Sequence, residues 1–266
     1  MPIRIGCGSW ADQEYVGILY KPGLPAKKRL SGYAEHFNHI EVNSSFYATP
    51  KAATTRSWIA DTPDDFTFTV KLHRAFSLSP GKTAEKGELI DALLEGAAPL
   101  IEARRLSAFF LVLPPSFAPE KKRLEELDVV AEKLRGYRLA VELRHKDWVS
   151  GAQREKTLGY FRERGLVWIA VDMPKIADST IMPAVDEVTN DSLAYLRLHG
   201  RNPKYLEAGS AEEGHRYDYP AAELKQIAER VKGLAEKAKD VHVIANNHSH
   251  DYAPKAALAL KGLLGV

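Results

Sequence analysis

Cysteine is nearly absent from this chain: Cys7 is the only one in 266 residues. No intrachain disulfide and no paired-cysteine metal site can form, and a reducing compartment is the expected setting. Long apolar runs are missing too. No stretch approaches the ~18 apolar residues needed to span a membrane. The start, Met1-Pro2-Ile3-Arg4-Ile5, reads as a strand and lacks the basic-then-apolar pattern of a secretory signal. A cytoplasmic protein without membrane association is expected. Neither sign of charge is in excess: 37 Lys and Arg face 35 Asp and Glu, leaving +2 and a pI of about 8.4. That balance neither demands nor excludes an anionic partner. No Ser-, Gly- or Pro-rich linker divides the chain, so residues 1–266 are expected to form a single domain.

What is present is an alternation. Short β-branched or aliphatic runs occur at 3–8, 39–43, 66–71, 108–113, 138–143, 167–172, 194–199 and 241–246. Helical spacing of apolar positions fills most gaps, at 86–104, 119–135, 153–163, 221–238 and 252–264, with shorter candidates at 27–37 and 51–61. The gap 173–193 is the least helical, and 200–219 is also irregular. Eight strand–helix units in a chain of this length predict an α/β fold, a single (β/α)8 TIM-type barrel. An open doubly wound sheet is the alternative. It usually carries a glycine-rich phosphate loop after its first strand, and here Gly6-Cys7-Gly8-Ser9-Trp10 lacks the third glycine. No dinucleotide or other cofactor is therefore expected.

Alternate residues of a strand face opposite sides. One face is apolar: Ile3, Ile5, Ile40, Val42, Phe66, Phe68, Val70, Leu139, Val141, Leu143, Val167, Ile169, Val171, Leu196, Leu198, Val241 and Val243. The other carries Glu41, Asn43, Thr67, Thr69, Lys71, Glu142, Arg144, Trp168, Asp172, Tyr195, Arg197, His199, His242 and Asn246. In a barrel this second face lines the lumen, and its charges gather toward the C-terminal strand ends, where barrel enzymes place their sites. The signs nearly cancel, as they must where an unpaired charge costs several kcal/mol. A purely structural ion-pair network is the competing reading, and it suits Glu41 and Arg197 best.

Several sequence blocks resemble a known family. Glu41-Val42-Asn43-Ser44-Ser45-Phe46-Tyr47 with Pro50, Phe66-Thr67-Phe68-Thr69-Val70-Lys71, Leu113-Pro114-Pro115-Ser116-Phe117, Glu142-Leu143-Arg144-His145 with Trp148, Arg197-Leu198-His199-Gly200 and Asn246-Asn247 follow in order. They are similar to the EVN-STFY-P, F-x-F-x-V-K, LPPSF, E-x-RH-x-x-W, R-x-HG and NN blocks of the bacterial YecE-like family of unknown function. The resemblance spans the chain and implies a TIM-type barrel. It implies no activity. Val112 stands where the family often has Gln, and His73 is the nearest counterpart of a Thr-His pair that often follows the lysine strand.

The favoured function is an enzyme, a hydrolase or isomerase, acting on a small polar or anionic substrate, sugar-like or phosphorylated. Glu41, Glu142 and His199 are the catalytic candidates. A pair of carboxyls ~5–9.5 Å apart suits glycosidic acid/base chemistry, although a cationic neighbour would lower each pKa. Lys71, Arg144 and Arg197 suit a phosphate or carboxylate, and Asn43 and Asn246 suit hydroxyls. Asp172 joins the binding set, as do Trp10, Tyr47 and Trp148, rim aromatics able to stack on a sugar or base; packing against the barrel end is the alternative for each. No HxH or HExxH word supports a metal; the nearest run is His248-Ser249-His250-Asp251. No nucleophile-elbow GxSxG word exists either. The basic runs Lys27-Lys28-Arg29, Arg104-Arg105 and Lys121-Lys122-Arg123 read as solvated faces. An endonuclease IV-like barrel processing nucleic acid and a non-catalytic ligand-binding barrel are the other two readings.

Overall fold

The structure, a computed structural model, describes residues 2–247 and 249–266. Its strands are β1 (Ile3–Cys7), β2 (His39–Val42), β3 (Thr67–Lys71), β4 (Leu106–Leu113), β5 (Leu139–Leu143), β6 (Val167–Asp172), β7 (Ala194–Leu198) and β8 (Val241–Ala245). The helices are α1 (Arg29–Ala34), α2 (Ala52–Ala60), α3 (Arg74–Leu78), α4 (Pro80–Lys86), α5 (Glu88–Glu102), α6 (Asp128–Lys133), α7 (Gln153–Glu163), α8 (Ala211–Gly214), α9 (Ala221–Ala235) and α10 (Tyr252–Leu264).

All ladders are parallel, in the order β1-β8-β7-β6-β5-β4-β3-β2, so β1 and β2 are the two edges and the sheet curls into a nearly closed barrel. The barrel expected from the strand count is what forms. Helices cover the outer face with amphipathic stripes. In α9, Leu224, Ile227, Ala228, Val231 and Leu234 are buried at helical spacing. A separate inner cluster of Ala108, Phe110, Ala140, Val167, Ile169, Leu193, Tyr195 and Ile244 fills the lumen.

Two details differ from the sequence reading. The expected helix at 119–135 is a 3-10 turn, Leu124–Leu127, followed by the short α6. The strand β6 is inverted: Val167 and Ile169 join the inner cluster, whereas Trp168 joins the outer core and donates its indole N–H to the Val185 carbonyl at 3.0 Å. Five of its six residues, Val-Trp-Ile-Ala-Val, are apolar, so polarity could not set its phase.

Among the described residues no backbone ladder joins β1 to β2. A phenol bridges the gap instead. The Cys7 N–H donates to the Tyr33 hydroxyl at 2.7 Å, and that hydroxyl donates to the His39 carbonyl at 3.0 Å. Gly6 is required at the same seam, because a Cβ there would lie 2.3 Å from the His39 oxygen. Burial pushes both the Tyr33 hydroxyl and the Cys7 thiol well above their ordinary pKa, so both stay neutral. Replacing Tyr33 by Phe leaves a buried N–H and a buried C=O without partners. We expect a loss of about 1–3 kcal/mol in urea unfolding; an unchanged midpoint would show that the phenol bridge contributes nothing.

Candidate functional site

Side chains two residues apart on a strand share a face and are separated by about 6.6 Å along it. Three strand ends use this spacing to stack one polar group above another: Glu41 below Asn43, Glu142 below Arg144, Arg197 below His199. Because every strand is parallel, Lys71 at the end of β3 and Asn246 after β8 rise to the same end. The sequence reading placed these eight residues on one face, and the structure brings them together.

Arg197 is the hub. Its Nε and Nη2 donate to the two Glu41 oxygens at 2.9 and 2.6 Å, and its Nη1 donates to Glu142 Oε2 at 2.6 Å. Its guanidinium also lies 5.3 Å from the centre of the Phe110 ring. Glu41 further accepts from the Tyr195 hydroxyl at 2.9 Å and Asn43 Nδ2 at 2.8 Å. Glu142 accepts from Arg144 Nε at 2.5 Å. Both carboxylates are fully buried. Burial alone would raise their pKa values, but Arg197 outweighs it at Glu41, and Arg144, His199 and Arg197 outweigh it at Glu142. Both therefore stay ionised, with Glu142 well below the usual range. Removing one partner from such a cluster costs about 3–5 kcal/mol, because the other charges remain buried.

The tautomer of His199 follows from its partners. Arg197 Nη2 donates to Asn246 Oδ1 at 3.2 Å, which leaves the Asn246 amide to donate to His199 Nδ1 at 3.1 Å. Nδ1 is then an acceptor, and the proton sits on Nε2, facing Glu142 at 3.1 Å. Burial brings the imidazole pKa down to about 4, with Arg144 adding to the effect against the pull of Glu142. His199 is neutral at pH 7.

Lys71 is partly buried and donates to Asn43 Oδ1 at 3.1 Å. Its Nζ lies 4.6 Å from the centre of the Phe46 ring and 5.6 Å from that of Phe110. Burial first, then repulsion from Arg197 and Arg144, brings its pKa down to about 7, against partial support from Glu41 and Glu142. Asn43 also donates to the Gly8 carbonyl at 3.0 Å, which ties β2 to the loop after β1. A cavity of about 600 Å3 opens above this floor, and Lys71, Arg144, Arg197, Asn43 and Asn246 line it. A groove of about 640 Å3 at the other end of the barrel, beside Glu132, Arg135 and Glu163, has no such convergence of strand ends.

Three expected binding residues lie elsewhere. Asp172 does not face the lumen, because β6 is inverted. It accepts from both Arg201 Nε and Nη2 at 2.8 Å, from the Tyr219 hydroxyl at 2.9 Å and from Arg230 Nη1 at 2.6 Å. There it pins the β7–α9 loop to helix α9. Trp148 is 2% exposed; it stacks on Phe117 and donates to the Phe117 carbonyl at 2.6 Å. Trp10 packs edge-on against Trp58 at 5.6 Å and is absent from the cavity wall. Tyr47 does line the cavity and is 73% exposed.

Sequence reasoning did not assign Phe46, Tyr195 or His215 to the site. Tyr195 was visible on the lumen face, but its role depends on Glu41 across the barrel. Phe46 appeared only within the block Glu41-Val42-Asn43-Ser44-Ser45-Phe46-Tyr47. His215 lies in the irregular stretch 200–219, where no periodicity marks it, and its ring sits 4.9 Å from that of His199. Among the described residues no group of three or more His, Cys, Asp or Glu side chains is arranged to hold a metal ion. Of the candidate run 248–251, His248 lies outside the described residues.

Deeper in the lumen His39 and His242 are buried with ring centres 4.0 Å apart, and burial lowers both pKa values. With His199 this makes three buried imidazoles that the unfolded chain protonates first. Each removes stability as pH falls below its unfolded value of 6.5, by up to about 1.4 kcal/mol per pH unit. Glu41 and Glu142 contribute stability above 4.5 and lose it as pH falls further. The urea midpoint should therefore begin to drop below pH 6.5 and steepen below 4.5. A midpoint flat between about pH 5 and 7 would contradict neutral buried histidines.

Comparison with known proteins agrees with this architecture. A family model described as a protein of unknown function, DUF72, matches residues 4–266. The crystal structure of a DUF72 family protein from Enterococcus faecalis superposes with a TM-score of 0.89 at 28% identity, covering 100% of this chain and 96% of that one. One from Thermotoga maritima gives 0.86 at 30% identity, covering 100% of both chains. The UPF0759 protein YunF of Bacillus subtilis is 28% identical over 255 residues, 93% of this chain and 89% of that protein. The UPF0759 protein YecE of Escherichia coli is 30% identical over 172 residues, 64% of this chain and 59% of that protein. With a family match over nearly its whole length, the chain belongs to the DUF72 family.

Proposed function

We propose that the barrel mouth binds a small anionic molecule, sugar-like or phosphorylated, and that the protein is an enzyme acting on it. One observation carries this reading. Three cationic side chains, Lys71, Arg144 and Arg197, line a single cavity, whereas the two carboxylates beneath them are buried and already occupied by donors. The floor sums to zero when Lys71 is neutral: Glu41 and Glu142 cancel Arg144 and Arg197, and His199 is uncharged. At this floor an incoming anion meets cations whose carboxylate neighbours are already occupied; the other acidic residues of the cavity, Asp12, Glu14 and Glu212, stand on segments of its wall outside the strands, with Glu14 and Glu212 exposed. A reducing cytoplasmic setting fits the single buried cysteine.

The geometry argues against acid/base hydrolysis by the Glu41–Glu142 pair. A general acid must hold a proton near neutral pH, and both carboxylates are held below their ordinary range. Their role is to orient Arg197, Arg144 and His199. The endonuclease-like reading draws no support from the basic runs. Arg105 is 3% exposed and donates to the Phe66 carbonyl at 2.7 Å. Among the described residues no helix is long and apolar enough to cross a membrane.

Arg144 is the group to remove, since its side chain is 16% exposed and Arg197 and His199 remain to hold Glu142. Calorimetric titration with phosphate and glycerol 3-phosphate should show saturable binding that weakens as salt rises. Arg144→Met should weaken it about tenfold to a hundredfold, the worth of one charge-assisted hydrogen bond. Absence of binding to both probes, or equal affinity in the variant, would remove the anion site.

A further inference from the structure

Lysines inside proteins are usually neutralised by a carboxylate. Here the carboxylates nearest Lys71 are taken. The Glu41 oxygens accept from Arg197, Tyr195 and Asn43, and the Glu142 oxygens accept from Arg197, Arg144 and His199. Among the described residues Lys71 forms no ion pair within 4.0 Å. Its hydrogen-bond partner is the neutral amide oxygen of Asn43, and two aromatic faces wall its stem and head. The amine lines the open cavity beside Arg144 and Arg197.

We propose that Lys71 is a nucleophile that condenses with an anionic carbonyl compound, a keto or aldehydo acid or phosphate, to form an imine. This rests on the anion site proposed above and names its substrate class. The Arg144 guanidinium, 16% exposed, would hold the acidic group of the ligand above the buried charge of Arg197, and the ligand's carbonyl would lie within reach of Nζ. The amine lone pair adds to the carbonyl carbon, and the carbonyl π pair moves to oxygen. The resulting carbinolamine loses that oxygen as water, which takes one proton from the nitrogen and one from solvent. The product is a protonated imine. No oxidant, reductant or metal is needed. The iminium places one positive charge over Glu41 and Glu142, where Arg197 and Arg144 leave the floor neutral without it.

Burial against two aromatic rings, reinforced by repulsion from the two guanidiniums, is what makes the amine available. With a value of about 7 in place of the ordinary 10.5, roughly half of Lys71 is unprotonated at pH 7. A surface lysine is unprotonated in only about one molecule in a few thousand. Tyr195 and His199 lie in the same floor but are spoken for: the hydroxyl donates to Glu41 and the imidazole faces Glu142 and Asn246. Cys7 is buried on the helix side with its thiol pKa raised by burial, so it does not compete as nucleophile.

The test is reductive trapping of the full chain at neutral pH with cyanoborohydride and, separately, glyoxylate or dihydroxyacetone phosphate, followed by peptide mapping. A carboxylate-bearing ligand is indicated if the first traps, and a phosphate-bearing one if the second does. Lys71 should carry the adduct (the probe less water plus two hydrogens) on the order of a hundredfold more than any surface lysine. Adding inorganic phosphate should suppress it. Lys71→Arg should abolish the adduct; near-ultraviolet circular dichroism shows whether the variant is folded. Binding of either probe by calorimetry with no enrichment at Lys71 would overturn the imine and leave the anion site standing. No binding of either probe would overturn the imine, and no binding of inorganic phosphate as well would overturn both.

Discussion

Everything at the mouth of this barrel depends on how Arg197 is shared. One guanidinium reaches two carboxylates on opposite walls, Glu41 on β2 and Glu142 on β5. A closed cylinder leaves little water to solvate charge, so a carboxylate placed there must find donors among its neighbours. Glu41 finds Arg197, Tyr195 and Asn43; Glu142 finds Arg197, Arg144 and His199. Once those donors are assigned, Lys71 is left as the cation without a carboxylate of its own. The chemical character of the pocket follows from that shortage.

The same constraint links the site to the closure of the fold. Where β1 and β2 lack a ladder, the wall is completed by side chains: Tyr33 low in the seam and Asn43 at its top. Asn43 joins the Gly8 carbonyl, the Glu41 carboxylate and the Lys71 amine with one amide group. A residue that closes the barrel is thus also the residue that aims the amine. On the far rim, Asp172 gathers Arg201, Tyr219 and Arg230, while Gly200 adopts a φ of 88° in a turn whose space Tyr217 fills. The rim loops are fastened on the outside of the barrel, which leaves its inner face to the charged cavity.

Most of the barrel was legible because strands leave a period-two signature and the eight runs were well separated. Glu41, Glu142, Arg144 and Arg197 stood out as charges where aliphatic residues are the rule. The reading failed where polarity could not fix the phase. In Val167–Asp172 a single charge at the end suggested the lumen, but the apolar residues before it admit either face, and Arg230 and Arg201 draw Asp172 outward. Trp10 and Trp148 were placed on the rim by proximity to strand ends; loop packing on Trp58 and Phe117 decided their positions, and no local pattern encodes that. The distribution of donors among the carboxylates, which leaves Lys71 without one, is a property of three dimensions alone.

The most direct test of this charge distribution is the titration of the Lys71 amine itself, followed through its ε-carbon and Nζ resonances by NMR with Lys71→Arg for assignment. A midpoint near 7 is expected if Arg197 and Arg144 have claimed the carboxylates. A midpoint at the ordinary lysine value of 10.5 would contradict it, and would mean that Glu41 or Glu142 serves Lys71 directly.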